Sequence, residues 1–124
     1  MIIAVDFDKT IVQQGWPGIG LEVPDAVDTL KYLVSSGHRI ILHTSRTNLE
    51  TDGHRPLDEA IAWCKGHGIE LWAVNDNPEA RQKYGAQSKV SADLYIDDCG
   101  FGMPLCNDCV DWAFIRQVFE EAQQ

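Results

Sequence analysis

Ile2-Ile3-Ala4-Val5-Asp6-Phe7-Asp8-Lys9-Thr10 is the stretch that decides the fold. Its apolar run reads as a buried strand over residues 2–6, and the chain turns polar directly after it. Asp6 and Asp8 stand where that strand opens into a loop. Gathering carboxylates at such a point is costly, and a hard cation with a preference for oxygen ligands, such as Mg²⁺, is the natural neutraliser. With a cation in place, one carboxylate can attack phosphorus while the other carries a proton.

The rest of the chain alternates between strand-like and helical patterns. Residues 10–23, with Gly15, Pro17, Gly18 and Gly20, read as a loop or small flap. Pro24 opens a helix to about Ser35, and Gly37 stops it. Ile40-Ile41-Leu42 is a second strand, ending at His43-Thr44-Ser45-Arg46, and a polar loop covers 46–55. Pro56 starts a helix that ends near Gly66 and Gly68. Residues 71–74 form a third strand, Asn75-Asp76-Asn77-Pro78 turns the chain, and a short helix starts at Glu79. Residues 92–96 form a fourth strand ending in Asp97-Asp98. A Gly- and Cys-containing loop leads to a last helix from about Asp111.

This alternation predicts one α/β domain over residues 1–124: a three-layer Rossmann-like fold with a parallel sheet of about four to five strands and helices on both faces. Ligands of such sheets bind beyond the carboxyl ends of the strands. Asp6, Asp8, Thr44, Asp97 and Asp98 all fall at those ends, so distant positions converge on one rim.

In order and strand context, these residues resemble the four motifs of the haloacid dehalogenase-like superfamily. Asp6-Phe7-Asp8-Lys9-Thr10 matches D-x-D-x-T/V, Thr44 matches the Thr or Ser after the second strand, Lys89 the upstream lysine, and Asp97-Asp98 the late acidic pair. The resemblance implies a phosphatase with Asp6 as the nucleophile that forms an aspartyl-phosphate. Asp8 then protonates the leaving oxygen and later activates water. Thr44 and Lys89 complete the implied catalytic set, and Thr44, Ser45, Arg46 and Lys89 are the expected substrate contacts. Mg²⁺ is the implied cofactor, held by Asp6, Asp97 and the Asp8 backbone carbonyl, with Asp98 either binding it directly or standing just behind those ligands. A carboxylate at position 8 points to phosphate esters, because an alkoxide needs a proton on leaving and a halide does not. Lys9 stands where the family more commonly has Gly.

Neither the interval from Asp8 to Thr44 nor that from Thr44 to Lys89 has room for a cap domain, so a capless, open site is expected. A neighbouring subunit of a homo-oligomer could cover it. The flap around Trp16 and loop 46–55 are the local elements able to screen a phosphate from water.

The 124 residues suit one core, and their 44% apolar content is that of an ordinary globular protein. A net charge of −9 argues against nonspecific binding to nucleic acid or anionic membranes. The expected partner is a phosphorylated small molecule rather than a macromolecule. A signalling receiver-like module and a polynucleotide-end phosphatase are the alternatives. With no leader or spanning run in view, the expected location is the cytoplasm, with four reduced cysteines.

Several residues stay open on sequence. Arg46 either contacts substrate or is solvated. Trp16 touches substrate or packs the flap. Cys106-x-x-Cys109, with Cys99 upstream, is either part of a metal site or a reduced loop.

Overall fold

The computed structural model describes residues 1–123. In chain order the elements are β1 (Ile2–Val5), α1 (Ala26–Ser35), β2 (Arg39–Leu42), α2 (Pro56–Gly66), β3 (Ala73–Val74), α3 (Pro78–Tyr84), β4 (Leu94–Ile96), β5 (Leu105–Cys106), β6 (Cys109–Val110) and α4 (Trp112–Ala122). Four strands form a parallel sheet in the order β3-β2-β1-β4. The Rossmann-like α/β architecture expected from the alternation is thus present, with β1 in the interior of the sheet.

Register explains the core. Ile3 lies beside Ile40, and Val5 beside Leu42 and Ile96, so these side chains share one face. Leu30 and Leu33 of α1, Ala60 and Cys64 of α2, and Trp112 and Ile115 of α4 join them in one buried cluster. Ala4 and Ile41, on the opposite face, are buried as well. This is why the strands read as continuous apolar runs rather than alternating ones. Residues of α1 and α2 share the core cluster with Ile3 and Val5, and under the right-handed rule for parallel crossovers the reversal of strand order between β3 and β4 sends α3 to the other face.

The boundaries differ from expectation at identifiable points. The first helix starts at Ala26, not Pro24, because Asp25 has φ 66°, outside helical space. β1 ends at Val5, although the Asp6 amide still bonds Ile96 O at 2.9 Å. β4 starts at Leu94 because Asp93 takes up the Ile2 amide with its side chain, at 2.7 Å. β3 is confined to Ala73–Val74.

The Gly- and Cys-containing loop contains a hairpin that was not expected. β5 and β6 pair antiparallel with Cys106 opposite Cys109. Asn107 and Asp108 between them have φ 52° and 63°, the double left-handed turn that matches strand twist. The C-x-x-C spacing is therefore that of a two-residue turn, and all four cysteines are free thiols. Among the described residues no helix is long and apolar enough to cross a membrane.

Candidate active site

The acidic rim starts with a tight turn. Phe7 is fully buried, edge-on to Trp63 at 6.0 Å between ring centroids. Its carbonyl accepts the amides of Thr10, Ile11 and Val12 at 3.2, 2.8 and 3.2 Å. That winding turns the chain sharply just past β1. Lys9 takes φ 62°, a left-handed conformation that glycine adopts freely and that costs other residues about 1–2 kcal/mol. The Lys9 carbonyl accepts the Val110 amide of the hairpin, and the fully buried Trp112 donates its indole N–H to Thr10 O at 2.6 Å. The acidic turn is thereby tied to the start of α4.

Thr10 is the hub of the carboxylates. Its buried hydroxyl lies 3.2 Å from Asp6 Oδ2 and 3.4 Å from Asp98 Oδ1, and it accepts the Asp98 amide at 3.1 Å. One hydroxyl has one proton to donate, so it satisfies one of the two carboxylates at a time. Asp97 accepts the Cys99 amide at 2.9 Å. Burial, with the nearby Asp97 charge second, pushes the Asp6 carboxyl up to about 7. No salt bridge among the described residues reaches Asp6, Asp97 or Asp98.

Uncompensated oxygen donors suit a hard divalent cation. Asp97, Asp98 and Cys99 each offer a ligand atom within 4.8 Å of the others, and Asp6 is joined to Asp98 through Thr10. The carboxylates fit Mg²⁺. Cys99 does not, being a soft donor whose thiol is held protonated by the charges of Asp98 and Asp97.

β2 supplies the opposite wall. The Thr44 amide donates to Asn75 Oδ1 at 2.8 Å, and the Thr44 hydroxyl accepts the Arg46 amide at 3.1 Å. That second bond leaves the hydroxyl proton free for a ligand oxygen. Asp6, Asp8, Thr44, Ser45, Asn75, Asp97 and Asp98 all line one depression of about 630 Å³. Six of these were expected from sequence. Asn75 was not, although Asn at a strand end with φ 49° is the kind of residue that tolerates such a bend.

Two expected substrate contacts stand apart from that depression. Arg46 is 3% exposed, so it is not a solvated arginine. Its Nε and Nη2 hold Asp8 at 2.9 and 2.8 Å, Nη2 also reaches Gly18 O at 2.6 Å, and Nη1 reaches Pro17 O and Pro56 O at 3.2 and 3.1 Å. These five bonds use all five guanidinium donors. Arg46 is a strut joining the acidic turn, the flap and the start of α2, with no N–H left for a substrate. Lys89 also sits elsewhere. Its ammonium lies over the Tyr95 ring at 5.1 Å, and it lines a neighbouring hollow with Asp76, Gln87 and Ser91. Its sequence neighbours Ser88 and Val90 reach the acidic depression, but Lys89 does not line it.

The flap is closed at its base by the Val12–Glu22 bridge and by Gln13 N–H to Leu21 O at 2.7 Å. Gly20 presses against the Gln13 carbonyl, where a Cβ would collide. Loop 46–55 is fastened to α2 by reciprocal bonds between Asn48 and Asp58 at 2.9 and 3.0 Å.

The fold recurs in a solved structure described as a conserved protein encoded by a Bacteroides thetaiotaomicron locus. It aligns with a TM-score of 0.77 and 43% identity, over 100% of this chain and 93% of that one. The chain belongs to the family of that conserved protein. No protein-family model and no curated protein matches the sequence.

Proposed function

We propose that the chain is a Mg²⁺-dependent phosphomonoesterase of haloacid dehalogenase-like type, acting through a phosphoryl group carried on Asp6. The observation that carries this is the convergence of Asp6 and Asp98 on the buried Thr10 hydroxyl, with the Asp97 charge close enough to raise the Asp6 carboxyl and no salt bridge among the described residues to any of the three. A bound Mg²⁺ would neutralise that charge and the charge of the phosphoryl oxygens.

The chain's own groups supply the remaining steps. An Asp6 carboxylate oxygen attacks phosphorus, and the bond from phosphorus to the leaving oxygen breaks with its electrons going to that oxygen. Asp8, oriented by two Arg46 bonds, enters this step protonated and gives that proton to the leaving oxygen as the bond breaks. Water then attacks the phosphoryl group and gives its proton to Asp8. The phosphorus–Asp6 bond breaks and the carboxylate is restored. The Thr44 hydroxyl and the Ser45 side chain hold phosphoryl oxygens during both transfers. These roles follow the general demand of phosphoryl transfer for positioning and charge neutralisation.

The strand order weighs against a receiver-like module, whose doubly wound sheet runs 2-1-3-4-5 rather than 3-2-1-4. The net charge of −9 weighs against a polynucleotide substrate.

The test is hydrolysis of p-nitrophenyl phosphate with and without Mg²⁺. Wild type is expected to turn over only with the metal. Asp6→Asn is expected to retain its circular dichroism spectrum and lose all turnover. Unimpaired turnover by Asp6→Asn would contradict the proposal.

A further inference from the structure

Resting on the phosphatase reading, we propose that a second depression beside Asp8 is the leaving-group subsite, and that it takes an uncharged ring with a flat face. This hollow of about 390 Å³ shares Asp8 and Ser45 with the acidic depression. The oxygen that leaves phosphorus must lie between the phosphoryl group and the remainder of the substrate, within reach of the proton donor. Asp8 stands at that junction. A phosphoryl group on the Asp6 side therefore directs the group attached to it past Asp8 into this second hollow.

The walls define the chemistry. Trp16 stands on the flap, 49% exposed as a residue, while the backbone on its C-terminal side is gripped by Arg46 through Pro17 O and Gly18 O. An exposed indole on a fixed backbone offers a platform at small entropic cost. Leu49, 77% exposed, and Pro56 add apolar surface. Asp8 and Arg46 are the only charged residues of the lining, and they are bonded to each other. With every Arg46 N–H committed, nothing there binds a second phosphate, and no unpaired carboxylate attracts an ammonium. Gln14 and Thr47 provide neutral polar groups for ring hydroxyls. The volume lies at the small end of ligand pockets, enough for one ring system. Aromatic and sugar rings share the required flat face.

The experiment compares kcat/KM of wild type and Trp16→Ala for phenyl phosphate, glucose 6-phosphate and phosphoserine, with Mg²⁺. Wild type is expected to favour at least one ring phosphate over phosphoserine by about tenfold, and Trp16→Ala to erase most of that preference, a factor in keeping with one lost aromatic contact. The ring phosphate that responds tells an aromatic site from a sugar site. In parallel, the Trp16 indole N–H resonance, assigned with Trp16→Phe, is titrated with phenol and with glucose, which requires no turnover. Equal effects of Trp16→Ala on all three phosphates would overturn the subsite and leave the phosphatase proposal standing. If no phosphate is turned over, the phosphatase proposal falls and the indole titration decides alone: a shift keeps a ring-binding hollow, and no shift overturns it.

Discussion

Arg46 grips both oxygens of the Asp8 carboxylate, Nε to Oδ2 at 2.9 Å and Nη2 to Oδ1 at 2.8 Å, while its remaining donors hold the flap and the start of α2. One buried guanidinium thereby sets the position of the expected proton carrier and of the wall beside it. Removing the guanidinium leaves a carboxylate and three carbonyls without their donor. Arg46→Ala is expected to lower unfolding free energy by about 3–5 kcal/mol, the range for breaking a buried pair from one side. Arg46→Lys is expected to recover little of it, since one ammonium cannot span four acceptor groups. Urea denaturation measures both. A loss under about 1 kcal/mol for Arg46→Ala would contradict the strut role.

Thr10 makes a separate prediction. Thr10→Val keeps the shape but removes the hydroxyl that serves Asp6, Asp98 and the Asp98 amide. It is expected to cost about 1–3 kcal/mol by stranding buried polar groups, while Thr10→Ser stays near wild type. Mg²⁺ titration by calorimetry is expected to show weaker binding to Thr10→Val, because the two carboxylates lose their shared anchor. Unchanged affinity would show that the hydroxyl does not organise them.

Trp112 acts on the same turn from a distance. Trp112→Phe preserves most of the buried area but removes the indole donor to Thr10 O. A stability loss of about 1–3 kcal/mol is expected. Because no residue of α4 lines either depression, a kcat loss with KM unchanged would mark Trp112 as a positioning residue for the acidic turn.

Asp6 gives the metal-free protein a pH dependence of definite sign. Its carboxyl, ordinarily near 3.8, is pushed up to about 7 by burial and by Asp97. The folded state therefore binds this proton more tightly than the unfolded state. That contribution is complete below about 4 and disappears as pH rises to about 7, so metal-free stability falls across this window. Thermal unfolding with a chelator is expected to show that fall, Asp6→Asn to flatten it, and Mg²⁺ at pH 8 to raise the melting temperature. The same slope in Asp6→Asn would assign the effect to another group.

The sheet and the rim were legible in the sequence for one physical reason: strands buried on both faces are continuous apolar runs, and their carboxyl ends gather polar residues. Asp6, Thr44, Asp97 and Asp98 were found that way. Short-range geometry was less visible. Asp25 takes a left-handed conformation that delays the helix, and Asn107-Asp108 closes a hairpin inside what read as a loop. Both are polar residues that sit equally well in many loops. Arg46 was misjudged because a charged residue is normally solvated, and only the assembled flap supplies the acceptors that make its burial affordable. Trp112 was read as core, and its indole bond to Thr10 O, far away in sequence, has no local signature. Lys89 was assigned by order along the chain, whereas its ammonium lies over Tyr95.

The most direct measurement is borohydride trapping of the protein during turnover of p-nitrophenyl phosphate with Mg²⁺. Reduction of an acyl phosphate converts aspartate to homoserine, and peptide mass spectrometry locates it. Homoserine at position 6, dependent on both substrate and metal, is the predicted result. Sustained turnover with an unmodified Asp6, or with the label on a different side chain, would contradict the account.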